Sequence, residues 1–302
     1  MAIDVLVTGA AGALGRQVVA TLGSSGYNVI GTGRANMDGV DALWDLSRDS
    51  GPQPDCQPTV VVHAAAQVGR HGHTLQDATP LFDVNVTGTL RVAQWCASKG
   101  VNQLVYISGA LVYGEWSGQP KTESNTAKPS SAGSYAVSKW CGEQLLSLLA
   151  NTRTTVTTLR LTSLFGLGYT QGLIPALLGQ ARDNGMVQLE PPFDDSFDLL
   201  HLSDAARTVQ RAIEAQRSGL WNVGSGGLCT INDIAGACAA PFDAQVTLSE
   251  APSQRPARII NWVDDRRART ELGHRNEMSL EQGITELGHL MSDGKAGNLS
   301  AI

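Results

Sequence analysis

The fold is decided close to the N-terminus, by the stretch Val5-Leu6-Val7-Thr8-Gly9-Ala10-Ala11-Gly12-Ala13-Leu14-Gly15. A short apolar run of strand type leads into three glycines, and an amphipathic helical pattern follows them. Glycines at these places allow a tight turn, a close approach of the backbone to a pyrophosphate and close helix packing, while the helix N-terminus stabilises negative charge. The stretch therefore predicts a strand, a phosphate-binding turn and a helix.

Strand and helix patterns alternate through the first half of the chain, which is typical of repeated βαβ units and a parallel sheet. We predict strands at Ile3–Thr8, Asn28–Thr32, Thr59–His63, Gln103–Ser108, Thr155–Arg160 and Gly219–Gly224. We predict helices at Leu14–Ser25, Pro80–Lys99, Ser134–Ala150 and His201–Gln216. The predicted fold class is α/β, a doubly wound parallel Rossmann sheet with a smaller interleaved C-terminal substrate domain.

The regular alternation fades after Arg160, where Gly, Pro and irregular turns become more frequent. Such segments usually cover the carboxyl ends of the strands, where open α/β sheets bind ligands. We therefore expect two domains and a tail. The dinucleotide-binding domain takes residues 1–165 and 197–225, the substrate-binding domain 166–196 and 226–292, and the tail 293–302.

The composition favours a soluble protein that binds small ligands. The formal net charge is −6 and no Lys/Arg cluster occurs, which argues against a nucleic-acid surface. No run approaches the ~18 apolar residues of a membrane-spanning helix, and no signal-peptide pattern opens the chain. The five cysteines lack metal-binding spacing. We therefore expect a cytoplasmic protein with reduced thiols, no metal and no membrane partner.

The glycine spacing G-x-x-G-x-x-G resembles that of the extended short-chain dehydrogenase/reductase family, which includes nucleotide-sugar epimerases, dehydratases and 4-ketoreductases. The resemblance spans nearly the whole chain. It also covers Asp45-Leu46, His63-Ala64-Ala65-Ala66 after the third strand, and Asn85 in the next helix. It implies that the cofactor is contacted by Gly9, Gly12, Ala13, Leu14, Gly15, Asp45, Leu46, Ala64, Ala65 and Asn85. Asn85 taken alone is equally compatible with a surface helix position.

The choice of cofactor depends on the end of the second strand, where a carboxylate would bond the ribose 2′-hydroxyl of NAD. The family register places Gly33 there, followed by Arg34. A guanidinium can grip a 2′-phosphate bidentately, and no carboxylate repels it. NADP is therefore favoured over NAD. The alternative is that Arg34 stacks on the adenine or faces solvent.

Tyr135 and Lys139 stand four residues apart in a helical pattern and so share one face. A free tyrosine titrates near pH ~10, and a nearby ammonium and a positive nicotinamide would both favour the phenolate. The family resemblance implies that Tyr135 is the acid/base partner of hydride transfer. It also implies that Lys139 modulates Tyr135 and holds the nicotinamide ribose.

The third catalytic position of the family is a Ser or Thr five residues before the glycine of a V-Y-G motif. Here Gly109 stands five residues before Gly114, and Ser108 comes one position earlier. Adjacent side chains of an extended segment point to opposite faces, so Ser108 serves only if the backbone turns. Three explanations stay open: Ser108 or a water takes the role, the substrate needs no such donor, or the protein is an inactive relative.

The family's 4,6-dehydratases carry an Asp-Glu pair after this position, where the present chain has Ala110 and Leu111. A dehydratase is therefore not expected. In the substrate half, Phe197 replaces an arginine that often contacts the nucleotide phosphates. Ser163 replaces a nucleotide-bonding asparagine of the family. Arg255 corresponds to the family's diphosphate-binding arginine. Arg255 is equally compatible with a solvated surface position.

The leading hypothesis is an NADP-dependent oxidoreductase or 4-epimerase that acts on a nucleotide-sugar, with catalytic Tyr135, Lys139 and Ser108 and substrate-binding Ser163 and Arg255. Phe197 and Ser163 favour a second hypothesis, a reductase of a non-sugar carbonyl. Gly109 motivates a third, a catalytically impaired NADP-binding regulatory protein. A homodimer is expected from the resemblance alone.

Overall fold

A central sheet of seven parallel strands organises the chain, in a computed structural model that describes residues 4–68, 75–116, 118–170, 172–249 and 259–292. The strands are β1 Asp4–Thr8, β2 Asn28–Gly33, β3 Ala42–Leu43, β4 Val60–His63, β5 Gln103–Gly109, β6 Thr155–Leu161, β7 Ser163–Phe165, β8 Met186–Leu189, β9 Ser196–Phe197, β10 Leu199–His201, β11 Gly219–Val223, β12 Cys229–Thr230, β13 Gln245–Leu248 and β14 Ile260–Asn261. The helices are α1 Ala13–Ser24, α2 Leu75–Phe82, α3 Thr89–Lys99, α4 Ser134–Leu146, α5 Leu173–Asn184, α6 Leu202–Ala215, α7 Ile231–Ala239, α8 Arg266–Glu271 and α9 Leu280–Ser292.

The strand order explains where a ligand can bind. Across the central sheet it is β11-β6-β5-β4-β1-β2-β3, and each neighbouring pair is parallel. The chain leaves β1 toward β2 on one side and returns to β4 on the other. The crevice at the carboxyl ends of β1 and β4 is therefore the switch point where doubly wound sheets bind ligands. The predicted Rossmann fold is confirmed.

Burial on both faces of the sheet explains the continuous apolar runs of its central strands. Val5, Leu6 and Val7 in β1 are fully buried, as are Val61 and Val62 in β4. Helices α1 and α6 cover one face, where Val18 and Val209 join the core, and residues of α3 and α4 cover the other. The sheet therefore holds the ends of β1, β4 and β5 in fixed register.

The predicted strands agree with the observed ones to within one residue over the described chain, whereas two predicted helices differ. The predicted helix Ser134–Ala150 ends as α4 at Leu146 and a 3-10 helix Ser147–Asn151 follows it. The segment Pro80–Lys99 is the end of α2, a π-helical turn at Asp83–Gly88 and then α3. The structure begins α2 at Leu75 and holds Pro80 inside it. The predicted start at Pro80 is therefore wrong.

A second core lies outside the sheet. Helices α5, α7 and α9 pack with β8 around Leu177, Val187, Ile234 and Leu287. Ala268 of α8, by contrast, packs with the first core. The predicted domain boundaries stay a proposal, and the predicted tail 293–302 lies outside the described residues. No helix in the described part of the chain is long and apolar enough to cross a membrane.

Candidate active site

The turn after β1 is built so tightly that only glycine fits at two of its positions. Gly9 has φ +72°, and a Cβ there would lie 2.7 Å from Cα and 2.8 Å from the amide nitrogen of Ala65. A Cβ on Gly15 would lie 2.0 Å from the carbonyl oxygen of Gly9. The turn thus packs directly on the chain that leaves β4 and on the first turn of α1.

The N-terminus of α1 is open to an anion. Gly12 is the N-cap in extended conformation, no side chain caps the helix, and its first turn holds no acidic residue. Free backbone N–H groups and the helix dipole there favour a phosphate. Ala13 lies in this first turn, close to Gly168, where an added Cβ would be 3.3 Å from the Cβ of Ala13. Leu14 packs against the core below. These residues fit a bound dinucleotide.

Arg34 and Asp45 lie on the same edge of the sheet, beyond the end of β2. Arg34 is exposed, and its charge contributes to a lowered pKa of the Asp45 carboxyl. The main cause of that lowering is the hydrogen bond that the Ser47 hydroxyl donates to Asp45, at 2.6 Å. Leu46 is buried, and its carbonyl oxygen accepts a hydrogen bond from Arg91. The Arg34 guanidinium is thus available to a ligand at the end of β2, and no carboxylate stands beside it at Gly33.

Asn85 joins the chain after β4 to α4. The Asn85 side chain accepts from the backbone N–H of Gln67 at 2.7 Å and donates to the Gln67 carbonyl at 2.9 Å. It also donates to the Ser138 hydroxyl, which donates in turn to the Tyr135 carbonyl. Ala64 and Ala65 precede the hydrogen-bonded Gln67 and lie at the switch point. Asn85 therefore holds the helix that carries Tyr135 and Lys139 against the cofactor crevice.

Tyr135 and Lys139 both lie on α4, in different surroundings. Tyr135 lines a cavity, and burial together with the Tyr169 hydroxyl raises the pKa of its phenol. Lys139 is buried, with its Nζ 4.3 Å from the ring centroid of Tyr106. Burial lowers the pKa of Lys139 to about 7, opposed by the charge of Glu143. Desolvation thus favours the neutral phenol and opposes the effect that sequence analysis expected from a nearby ammonium and a positive nicotinamide.

The Ser108 side chain is bound to Glu143 of α4. Its hydroxyl donates to Glu143 at 2.6 Å, and Glu143 accepts from Nε and Nη2 of Arg160 at 2.9 and 2.6 Å. All three side chains are buried. Ser108 is not among the described residues that line the cavity. The backbone remains extended at Gly109, so the turn that would redirect Ser108 does not occur.

Leu111 occupies the space beside Gly109. A Cβ on Gly109 would lie 2.5 Å from Cδ2 of Leu111, and Leu111 lines the cavity. The space in which the family places a serine or threonine side chain thus holds an isobutyl group. Sequence reasoning found the missing hydroxyl but not the apolar group, because Leu111 reaches back from a 3-10 turn at Ala110–Tyr113.

The cavity beside Tyr135 has a volume of about 610 Å³ and an apolar lining. Sequence analysis missed most of this lining, because several distant segments supply it: the 3-10 turn, the segment that follows β6, strand β9 and helix α5. The lining residues include Leu111, Trp116, Phe165, Tyr169, Ile174 and Phe197. Ser163, as predicted for a substrate-binding residue, lines it too. Arg255 lies outside the described residues.

Comparisons with known proteins bear on the family and the fold. The sequence profile of the family described as "NAD dependent epimerase/dehydratase family" matches residues 5–224. A UDP-glucose 4-epimerase of Mycolicibacterium smegmatis is 28% identical over 93% of this chain and 96% of its own. A dTDP-4-keto-6-deoxy-D-glucose reductase of Streptomyces niveus is 30% identical over 76% of this chain and 75% of its own. The Thermus thermophilus UDP-glucose 4-epimerase, solved in complex with NAD, shares the fold with a TM-score of 0.83 and 23% identity, covering 99% of this chain and 100% of that one.

Proposed function

Because the chain belongs to the NAD-dependent epimerase/dehydratase family, we propose that it exchanges a hydride between a nicotinamide dinucleotide and a carbinol or carbonyl carbon beside Tyr135. Membership confirms the family, and the enzyme class, identified from the sequence. The observation that carries the proposal is the placement of Tyr135. Its phenol lines the cavity, on a helix that Asn85 ties to the cofactor crevice.

The turn at Gly9 and the N-terminus of α1 would hold the pyrophosphate, and Asp45 and Leu46 would lie near the adenine. Lys139 would hold the nicotinamide ribose. The solved Thermus relative contains NAD. For the present chain we favour NADP, because exposed Arg34 can pair with a 2′-phosphate. The preceding position is Gly33, so no carboxylate there repels the phosphate.

The nicotinamide, when bound, supplies or accepts the hydride. Tyr135 handles the proton. The Tyr135 phenol can donate its proton to a carbonyl oxygen as the carbon gains a hydride, which yields a secondary alcohol, and its tyrosinate can take the proton back in the reverse reaction. Lys139 lies one helical turn away, and its charge would stabilise the tyrosinate that remains.

Ser108 has no part in this proposal, since its hydroxyl is bound to Glu143. An absent oxyanion donor can cost on the order of 10²–10³ in rate. Leu111 at that place therefore favours slow turnover, or a substrate whose oxygen is bound by Tyr135 alone. If turnover is lost altogether, the same observation describes a catalytically impaired, NADP-binding regulatory protein.

Two substrate classes remain for the reaction. The curated relatives named above are enzymes of nucleotide-sugars, and membership favours that class, as a 4-epimerase or 4-ketoreductase, with Ser163 and Arg255 as contacts. The apolar lining around Phe197 favours a non-sugar carbonyl. A homodimer in the cytoplasm stays a proposal from the family resemblance.

The test is the variant Tyr135→Phe, assayed for NADPH-dependent reduction across nucleotide-sugars and ketones. We expect turnover to fall by at least about 10²-fold with NADPH binding retained, because only the proton donor is removed. Tyr27→Phe is the matched control, since the Tyr27 hydroxyl is bound to Glu214 at the surface. Full turnover by Tyr135→Phe would contradict the proposal.

A further inference from the structure

We propose that His63 is a positioning residue, which holds the helix of Tyr135 and Lys139 in a fixed place relative to the phosphate-binding turn after β1. The inference rests on the proposed function, because it names a residue that aligns the same site. His63 ends β4 at the switch point, where it pairs with the last residue of β1, and its side chain is fully buried. Because no part of the imidazole is exposed, it acts through its hydrogen-bond partners.

The hydrogen bonds of His63 run in one direction. The Thr89 hydroxyl donates its hydrogen to the Asn85 carbonyl at 2.6 Å, so it accepts from His63, whose Nε2 lies 3.0 Å away. Burial, and then the charge of Lys139, lowers the pKa of His63 to about 3, so the ring carries one hydrogen. That hydrogen is on Nε2, and Nδ1 accepts from the Thr8 hydroxyl at 2.7 Å. The imidazole therefore fixes the places of both hydroxyls.

One end of this series of hydrogen bonds is the phosphate-binding turn. Thr8 ends β1 directly before Gly9, and its hydroxyl accepts from the backbone N–H of Ala65 at 3.2 Å. The backbone of Ala65 is also what a Cβ on Gly9 would meet, at 2.7 Å. The Thr8 hydroxyl thus joins His63 to the segment that packs on the turn.

The other end of the series is α4. The Asn85 carbonyl accepts from Thr89, while the Asn85 side chain donates to the Ser138 hydroxyl of α4 at 2.9 Å. The Ser138 hydroxyl donates in turn to the Tyr135 carbonyl at 2.8 Å. Asn85 and Ser138 are both buried. Loss of the Thr89 hydroxyl would therefore release Asn85 from one of its two attachments, and α4 with it.

Tyr106 makes a second connection between His63 and α4. The ring centroids of His63 and Tyr106 are 5.6 Å apart, and Lys139 Nζ lies 4.3 Å from the Tyr106 centroid. The Tyr106 hydroxyl donates to the Lys139 carbonyl at 3.3 Å. A Cβ on Gly142 would lie 2.3 Å from that hydroxyl, so α4 packs very closely here. A shift of the His63 ring would therefore be passed on to Lys139.

The variant Thr89→Val tests this role, because it keeps the shape of Thr89 and removes the hydroxyl. His63 Nε2 then lacks its acceptor, and the Asn85 carbonyl lacks its donor. We expect the Kd of NADPH, measured by isothermal titration, to rise at least about threefold, since α4 no longer holds Lys139 in place for the nicotinamide ribose. Thr89→Ser keeps the hydroxyl and should bind NADPH within about twofold of the native protein. An unchanged Kd in Thr89→Val overturns the proposal.

Thr157→Val is the matched control. Thr157 is also fully buried, and its hydroxyl donates to the Arg217 carbonyl at 2.7 Å and accepts from the Gln103 amide at 3.0 Å. Gln103 begins β5, so this hydroxyl lies toward the amino end of the sheet, away from the crevice. We expect both valine variants to lower the urea midpoint by similar amounts, and Thr89→Val alone to weaken NADPH binding. Equal weakening by both would reduce the role of His63 to general stability and overturn the proposal.

The background Lys139→Met shows whether the effect passes through α4. Once the Lys139 ammonium is removed, its placement no longer matters, so Thr89→Val should change the Kd of NADPH by less than about 1.5-fold in that background. A rise as large as in the native background would mean that Thr89 acts elsewhere, and would overturn the positioning role.

The native protein allows a second test without any substitution. Nuclear magnetic resonance of the ring nitrogens reports which of them carries hydrogen, and the His63 ring is assigned through its side-chain correlations. We expect its hydrogen on Nε2 and a bare Nδ1 from about pH 5 to about pH 8, the range in which an ordinary histidine titrates. Hydrogen on Nδ1, or a doubly protonated ring, overturns the proposal.

The positioning role and the proposed function fail in different ways. Full turnover by Tyr135→Phe would overturn the proposed mechanism and leave the role of His63 standing, since the Kd of NADPH measures that role. An unchanged Kd in Thr89→Val, with turnover still abolished in Tyr135→Phe, would overturn the role of His63 and leave the proposed function standing.

Discussion

The cofactor crevice and the substrate cavity are built by opposite means. In the crevice, backbone approaches backbone so closely that Gly9 and Gly15 admit no side chain. In the cavity, side chains from distant segments form the walls, and Leu111 fills the space beside Gly109. A backbone-defined site tolerates almost no substitution, whereas a wall of side chains can be replaced residue by residue. The crevice is therefore fixed by backbone packing, and the cavity by side chains that come from distant segments.

The largest expected effect comes from breaking the support that both regions share. Glu143 and Arg160 form a buried bidentate pair below α4. In Glu143→Ala the Arg160 charge is left buried and unpaired, which should lower the free energy of unfolding by about 3–5 kcal/mol. Urea unfolding measures this change. Glu115→Ala, which breaks the exposed pair with Lys128, should cost under about 1 kcal/mol. Equal losses would contradict the structural role of the buried pair.

Gly9→Ala should damage the crevice alone. The added Cβ meets the backbone of Ala65 at 2.7 Å and φ +72° is strained for alanine, so we expect NADPH affinity to fall by at least about 10²-fold. Isothermal titration gives this number. Gly26→Ala has a similar φ of +84° but open space around the Cβ. It should lower stability by about 1 kcal/mol and leave NADPH binding intact, and weakened binding in Gly26→Ala would count against the steric account.

Lys139 is buried on α4 and should give a measurable pH dependence. Its folded pKa is lowered from 10.5 to about 7, so between these values the unfolded chain binds more protons. The contribution of Lys139 to the free energy of unfolding therefore rises from pH 7 toward pH 10, by roughly a few kcal/mol. We expect Lys139→Met to flatten that rise in urea melts at several pH values. An identical pH profile in the variant would contradict the lowered pKa of Lys139.

The smallest expected effect concerns the edge of the crevice. Arg34→Ala should weaken NADPH by about tenfold and leave NADH unchanged, since only the 2′-phosphate loses a partner. Arg48→Ala is the control, exposed and paired with Asp45. Steady-state KM values for both dinucleotides measure the ratio. Equal loss of NADPH and NADH affinity would mean that Arg34 contacts a part common to both.

The sequence was sufficient to predict the turn after β1 because its glycine spacing is local, although the contact of Gly9 with Ala65 appears only in the structure. The three glycines after β1 lie within the eight residues Thr8–Gly15, so their spacing is visible in the sequence. The alternation of strand and helix patterns predicts the sheet around them. The cavity depends on contacts between distant segments. No spacing rule connects Trp116, Tyr169 and Asn261, and only the folded chain brings them together.

Ser108 illustrates the same limit at one residue. The sequence showed that a hydroxyl stood one position away from the family's place, but not which neighbour would bind it. The partner is Glu143, thirty-five residues later on α4. The raised pKa of Tyr135 was likewise not predictable, because it depends on how deeply the phenol is buried.

The central claim is that hydride transfer occurs beside Tyr135, and one measurement tests it most directly. The protein is incubated with NADPH deuterated at the transferring C4 position and with 4-phenylcyclohexanone or UDP-linked 4-ketosugars, and the alcohol is analysed by mass spectrometry. The account predicts one deuterium on the carbinol carbon with the native chain and almost none with Tyr135→Phe. Equal deuterium incorporation by both proteins would contradict it.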